Sequence, residues 1–485
     1  MAFSHRLLQV WAKKKDMVSG RLAHCLMIFN NSLNSLPLDA DSLICLYSSC
    51  GSLFESSLVF CQLSEPSIYT WHAIIHAYAT HGENCCVLEM YQKARNQNVM
   101  LNASLFPSII KACSALGDDS MRFGRLVHDD IVRDSIDSDP FLRCALIDMY
   151  ARCGNLDDGR NLLNKASKKD AAVWGAMIYG YAQHKNGLDA LNLFEEMQRD
   201  GVKPTNITFL CALKACSVIG AFMEGMAIHN QIMREQFERD LTTANALINM
   251  YAKCGSLEAA CKVFDNLPNP NHVSYGGLIT AYVQHGQGSL ALQLFAKVQS
   301  KGITPNKIIY ICVLKACTDV RDSQQGKVLH DQIVRSGFES DVTIANTLVD
   351  MYAKCGLMGE ARRVFDQLTI RTTVSWGAMI AGYVQGGYGF LAIDLFDKMR
   401  KEKVRPDQGT FVSMLKACGS TDDILKGRMI HEEIIEDGIT LDTLLGSTLI
   451  DMYSKCGDMD AAERIFNSLP QQDVVSWSAI ITGYV

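Results

Sequence analysis

The chain contains no run of 18 apolar residues, which removes a membrane-spanning helix from consideration. It also lacks an excess of positive charge: 46 Lys+Arg against 52 Asp+Glu leave a net charge of −6. That balance excludes a globally basic nucleic-acid binder, although it permits a local basic stripe. No secretory signal pattern precedes the 18 cysteines, and they recur one or two at a time rather than as an extracellular disulfide framework. They are expected to be reduced thiols of an intracellular compartment, packed as small apolar groups. The first fifteen residues hold Arg6 and Lys13 to Lys15 and no acid, a faint likeness to an organelle transit peptide.

What is present is repetition. LIDMYARCG at Leu146 returns as LINMYAKCG at Leu247, LVDMYAKCG at Leu348 and LIDMYSKCG at Leu449, with a worn copy, LICLYSSCG, at Leu43. The tyrosines of these phrases, Tyr47, Tyr150, Tyr251, Tyr352 and Tyr453, are spaced 103, 101, 101 and 101 residues apart. Lys-Ala-Cys ends at Cys113, Cys216, Cys317 and Cys418. A histidine follows a glycine by four positions at His128, His229, His330 and His431. An aromatic-rich phrase (VWGAMIYGY at Val173, VSWGAMIAGY at Val374) interleaves with these markers. The 101-residue unit therefore divides into pieces of 35, 31 and 35 residues: 206–240, 241–271 and 272–306, then 307–341, 342–372 and 373–407. Internal periods of this size signify stacked repeats, because one helix pair cannot bury both of its faces.

Each piece reads as two short amphipathic helices. In 241–271 the stripe Leu247, Met250, Tyr251, Cys254 has helical spacing, and Gly255 suits the left-handed residue that closes a helix. Ser256 is positioned to cap the following helix. The recurring cysteines are then the last rung of a buried stripe. A zinc site shared between copies is excluded. Helices pack about 8–10 Å apart, so equivalent cysteines three repeats apart would be roughly 25–30 Å apart, whereas zinc holds its sulfurs at about 2.3 Å. The histidines, one per triplet with no periodic Ser, Cys or Asp partner, are expected to be packed or hydrogen-bonded at a helix interface rather than catalytic.

Thirty-five-residue helical hairpins ending in GVKPT at Gly201 and GITPN at Gly302, in rotation with 31-residue pieces, resemble pentatricopeptide repeats. More narrowly they resemble the plant subfamily of long, short and standard motifs. KVRPD at Lys403 departs from the ending by losing its glycine. Tetratricopeptide repeats fit less well, since neither their 34-residue period nor their W-x₂-L-G-x₂-Y pattern occurs. The resemblance implies an all-α fold, a right-handed α-solenoid superhelix running over 1–485. Its repeats would be 1–36, 37–67 and 68–102; 103–139, 140–170 and 171–205; 206–240, 241–271 and 272–306; 307–341, 342–372 and 373–407; then 408–442, 443–473 and a partial 474–485, in the order long, short, standard.

The same resemblance implies single-stranded RNA as partner, read at about one base per repeat by two or three side chains. In the family the fifth and last residues of a repeat face the base edge. In the short repeats these are Cys144 with Asp170, Asn245 with Asn271, Asn346 with Thr372, and Ser447 with Asp473. Carried onto the standard repeats, they include His72 and the last residues Asn102, Asn306 and Asp407, while Gly175, Gly276 and Gly377 offer no side chain at the fifth position. By the family's code, Asn245/Asn271 and Asn346/Thr372 favour pyrimidines and Ser447/Asp473 favours guanine. Phosphate contacts fall to Arg152, Lys253, Lys354 and Lys455, with Ser49 breaking the series.

The resemblance further implies organellar RNA modification, cytidine-to-uridine editing in a mitochondrion or chloroplast, with an editing deaminase or other RNA-processing factor as partner and no membrane. His431-Glu432-Glu433 matches the H-x-E of zinc deaminases literally, yet no C-x-x-C occurs in the chain, so no enzyme activity and no cofactor is expected of these residues. VSWSAIITGYV at Val475 is the first helix of a further repeat, which leads to the expectation that the sequence is part of a longer protein. A tetratricopeptide-like scaffold that binds peptides is the competing expectation.

Overall fold

The computed structural model describes residues 5–29, 37–101, 103–134, 136, 139–166, 169–237, 240–469 and 472–484. Every regular element among them is helical. None of these helices is long and apolar enough to cross a membrane. The chain forms two compact units, Met1–Cys254 and Gly255–Val485.

In both units helices come in pairs, and the first helices of successive pairs pack side by side as a continuous row. In the N-terminal unit that row includes Ile68–Thr80, Phe106–Leu116, Pro140–Arg152, Ala171–Gln183, Asn206–Ile219 and Leu241–Lys253. In the C-terminal unit it comprises His272–Gln284, Lys307–Val320, Val342–Lys354, Thr373–Gln385, Gln408–Thr421, Thr443–Lys455 and Val474–Tyr484. Within each unit, second helices pack against the first helices adjacent to them in the chain. This is the helical-hairpin solenoid expected from the period.

The repeated nine-residue phrase builds the seam of this stack. Leu247, Met250 and Tyr251 are buried, and Cys254 is half-buried. Gly154, Gly255, Gly356 and Gly457 all adopt positive φ, the left-handed conformation that closes a first helix. Ser256 stands at the start of Leu257–Asp265 without a capping hydrogen bond. The longer arms of Asn155 and Asp458, at the equivalent position, reach the amides of Asp158 and Ala461.

The cysteine and histidine markers meet this phrase across neighbouring repeats. The thiols of Cys153, Cys254 and Cys456 donate to the backbone carbonyls of Cys113, Cys216 and Cys418 at 3.7, 3.7 and 3.8 Å. Burial pushes the Cys113, Cys216, Cys317 and Cys418 thiols up to about 12, so they stay protonated and unreactive. Among the described residues no His, Cys, Asp and Glu side chains gather as a metal site. The marker histidines each bond the marker tyrosine 22 residues on, with Nδ1 to hydroxyl distances of 2.9 Å (His128–Tyr150), 2.7 Å (His229–Tyr251), 3.0 Å (His330–Tyr352) and 3.0 Å (His431–Tyr453). His24 and Tyr47 repeat the pair at 3.2 Å. Burial raises the phenols, Tyr352 to about 12, so each hydroxyl stays protonated.

These pairs make stability depend on pH. Burial holds His330 and His431 below the usual imidazole range, against an upward pull from Asp331, Glu339 and Glu360 on the first and Glu432 on the second. The unfolded chain therefore binds protons before the folded one, and stability is full above the unfolded value and lost as pH falls through the folded one. The melting temperature is expected to drop between about pH 7.5 and 5.5, the range that brackets the unperturbed histidine value. A His330→Gln/His431→Gln protein should show a shallower drop; an equal slope in both proteins counts against the assignment.

On the other side of the stack, a polar pair links consecutive second helices at one register. It reads Arg95–Asp130 at 3.3 Å, Gln198–Gln231 at 2.9 Å, Gln299–Gln332 at 2.7 Å and Arg400–Glu433 at 2.8 Å. Charge meets opposite charge or amide meets amide in each of these four pairs, so Asp130 and Glu433 each keep a cation.

Candidate nucleic-acid interface

The residues at issue lie along the row of first helices. Cys144, Asn245 and Asn346 are half-buried on Pro140–Arg152, Leu241–Lys253 and Val342–Lys354. The side-chain Oδ1 atoms of Asn245 and Asn346 are shielded from solvent and have no hydrogen-bond partner among the described residues. Leaving such an acceptor unsatisfied costs about 1–3 kcal/mol, and it happens twice at one register. Ser447 is buried, and its hydroxyl donates to Leu444 O at 3.0 Å, so only its lone pairs remain available.

The last residues of the repeats share a second occupation. Asp170, Asn271, Thr372 and Asp473 each cap the following first helix, accepting from backbone amides at 2.8–3.4 Å. Asn306 and Asp407 do the same toward Ile309 N at 3.0 Å and Thr410 N at 2.8 Å. One oxygen is thereby committed. An asparagine keeps its Nδ2 donors and an aspartate keeps its second oxygen, so the chemistry each presents outward is narrower than its side chain alone allows. Asn102 lies outside the described residues.

In the C-terminal unit one fifth and one last residue, Asn346 and Thr372, line the same groove. A groove of about 600 Å³ between neighbouring first helices is lined by Lys315, Asn346, Asp350, Thr372 and Val374. In the other unit, burial raises the Cys144 thiol, with the Asp170 carboxylate adding to the shift. The standard repeats differ. His72 Nε2 lies 3.2 Å from Ser104 Oγ, and burial with the neighbouring His76 keeps its pKa low. A Cβ on Gly175 would stand 3.3 Å from Thr208 Cγ2, and one on Gly377 3.0 Å from Thr410 Oγ1. Glycine there admits the next first helix at close range.

Of the proposed phosphate cations, Arg152 lines a similar groove of about 390 Å³ with Lys111 and Asp148. Arg152, Lys354 and Lys455 pair with Asp148, Asp350 and Asp451 one turn earlier, at 2.9, 2.9 and 2.7 Å. Lys253 has Asn249 in that place and makes no ion pair among the described residues. Sequence reading missed a second row of cations. Lys111 and Lys315 line the two grooves, and they are the lysines of the Lys-Ala-Cys marker, continued by Lys214 and Lys416. Their recurrence at intervals of 103, 101 and 101 residues was the available signal. Exposed apolar side chains also recur two positions after the caps: Val273, Val374 and Val475, with Ile207 and Ile308 alike.

Comparison with known proteins agrees with this architecture. The PPR repeat family matches residues 169–217 and 371–420, the pentatricopeptide repeat domain 269–320, and the PPR repeat 144–170, 242–269, 343–370, 409–439 and 447–474. The chain belongs to the pentatricopeptide repeat family. A pentatricopeptide repeat-containing protein of Arabidopsis thaliana is 32% identical over 91% of this chain and 64% of its own. A chloroplastic one is 32% identical over 90% of this chain and 71% of its own, and a mitochondrial one is 33% identical over 90% and 42%. The chain thus spans 42–71% of the length of these relatives. Among solved structures, the maize pentatricopeptide repeat protein PPR10 has the same fold, with a TM-score of 0.61 at 19% identity over 92% of this chain and 70% of that one. PPR10 in complex with an 18-nt psaJ RNA element gives 0.62 at 17% identity over 92% and 76%.

Proposed function

We propose that this chain is a sequence-selective single-stranded RNA-binding protein. The observation that carries the reading is the pair of unsatisfied amide oxygens on Asn245 and Asn346, the second of them in a groove with Thr372 and Lys315. A base edge supplies the missing donor, a lysine meets the phosphate, and the exposed Val374 offers an apolar surface to the base face. The family relation and the RNA complex of PPR10 support the partner class. The glycine positions of the standard repeats hold nucleotides without reading them, so selectivity rests mainly on the short repeats.

The finer reading is a specificity factor of the long-short-standard type for cytidine-to-uridine editing, with catalysis supplied by a deaminase domain or partner. Relatives named as chloroplastic or mitochondrial support work on organellar transcripts.

Thr372→Asp tests base reading. Asp170 and Asp473 cap the equivalent helices, so the exchange keeps the cap and changes only what faces the groove. Relative affinities for RNAs varied at one base should shift by about 1–3 kcal/mol, with the preferred base changing. An unchanged order of the four bases overturns the assignment. Tight binding of an unstructured peptide with no salt-dependent RNA binding would favour the scaffold instead.

A further inference from the structure

Three consecutive first helices of the N-terminal unit converge on one aromatic ring. Lys214 of Asn206–Ile219 places its ammonium 4.5 Å from the Tyr179 ring centroid, and Arg152 of Pro140–Arg152 places its guanidinium 5.5 Å from it. Tyr179, on Ala171–Gln183, stands between them in chain order and is half-exposed. The register does not require this arrangement. The equivalent positions are His76, Thr280, Ala381 and Thr482, and the Thr280 hydroxyl is spent on Gly276 O at 2.7 Å.

The charge count is unbalanced. Asp148 accepts from Arg152 Nε at 2.9 and 3.0 Å, which covers one cation. Lys214 has no carboxylate partner among the described residues. Cations lying over an aromatic face are held by its quadrupole, and they occupy the surface a base would otherwise stack on. The cluster therefore presents converging positive charge rather than a free ring, and that selects an anion.

We propose that Tyr179, Lys214 and Arg152 form a phosphodiester clamp that holds the RNA backbone across residues 171–205, where Gly175 leaves the base unread. The inference rests on the RNA-binding reading above. Lys214 and Arg152 make the contact. Tyr179 is a positioning residue that restricts the two long side chains before RNA arrives, so less rotamer freedom is lost on binding. The clamp accepts any nucleotide and fixes the register of the strand between the base-reading repeats.

The test titrates a fluorescein-labelled, random-sequence single-stranded RNA pool against the full chain over a range of salt. Tyr179→Ala should weaken binding about three- to tenfold and lower the slope of log K against log salt by about 0.7, one phosphate's share. Tyr179→Phe keeps the ring and should bind as the parent does. Lys214→Gln should reproduce the alanine result, and combining it with Tyr179→Ala should add little. The loss should be equal on oligo(U), oligo(C) and oligo(A). Unchanged melting curves show that the variants fold. Normal RNA binding by Tyr179→Ala overturns the clamp and leaves the RNA-binding reading standing. A loss confined to one base means the ring stacks, which also overturns it. Absence of salt-dependent RNA binding in the parent chain removes the broader reading itself.

Discussion

Glutamine at Lys253, Lys354 and Lys455 together is expected to weaken every single-stranded RNA alike and to flatten the salt dependence by about 2, from three contacts at roughly 0.7 each. The three do not contribute equally. Lys354 and Lys455 must give up part of their bonds to Asp350 and Asp451 to meet a phosphate, whereas Lys253 faces Asn249 and has no such competitor. Exposed i,i+4 ion pairs contribute only about 0.3–0.5 kcal/mol, so phosphate displaces the carboxylate readily. Lys253→Gln should therefore have the largest single effect. Asp350→Asn, which frees Lys354, should tighten binding and steepen the slope. Base preference should remain that of the parent in all these proteins, because phosphate contacts carry no sequence information. Filter binding or fluorescence anisotropy across salt reads all of this. An unchanged slope in the triple variant would place the backbone of the RNA elsewhere.

Much of this architecture was legible in the chain. The 101-residue spacing of Tyr150, Tyr251 and Tyr352 gives the stack, and the i, i+3, i+4, i+7 stripe through Cys254 gives the buried face of each first helix. A helix-interface role for the marker histidines was legible too; what escaped was the partner each contact takes on the neighbouring helix. His128 and Tyr150 are 22 residues apart, a separation with no meaning inside a helix, and they meet because their helices sit at fixed positions in the stack. The sulfur of Cys153 finds the carbonyl of Cys113 over 40 residues for the same reason. The caps were legible by a different route. Asn271, Thr372 and Asp473 are each followed three residues later by serine, whose hydroxyl accepts from the cap residue's own amide as the Glu or Gln of a capping box does. In the sequence the lysines of Lys-Ala-Cys read only as a period marker, and it is the fold that sets Lys111 and Lys315 beside the grooves.

Close helix contact through glycine leads to the second large effect, and two identical substitutions should part company. A Cβ on Gly180 would stand 2.6 Å from Ala151 Cβ, 2.9 Å from its Cα and 3.0 Å from its carbonyl oxygen. Those atoms belong to a helix backbone and its shortest side chain, so Ala171–Gln183 and Pro140–Arg152 must separate. On Gly225 a Cβ would meet Met250 Sδ at 2.5 Å and Cε at 2.8 Å, the far end of a flexible thioether that can turn aside. Both changes gain about 1 kcal/mol of helix propensity. Gly225→Ala should then be close to neutral. Gly180→Ala carries the full overpacking cost, about 1–3 kcal/mol, and separates two first helices in the row that carries Cys144 and Arg152. Repeats interact mainly with their neighbours, so the damage should stay local. Amide exchange should accelerate in 140–152 and 171–183 and leave 241–253 as before. Equal destabilisation by the two alanines would mean that the stack yields as easily at backbone as at methionine, and the rigid spacing that places side chain after side chain along one face would lose its physical basis.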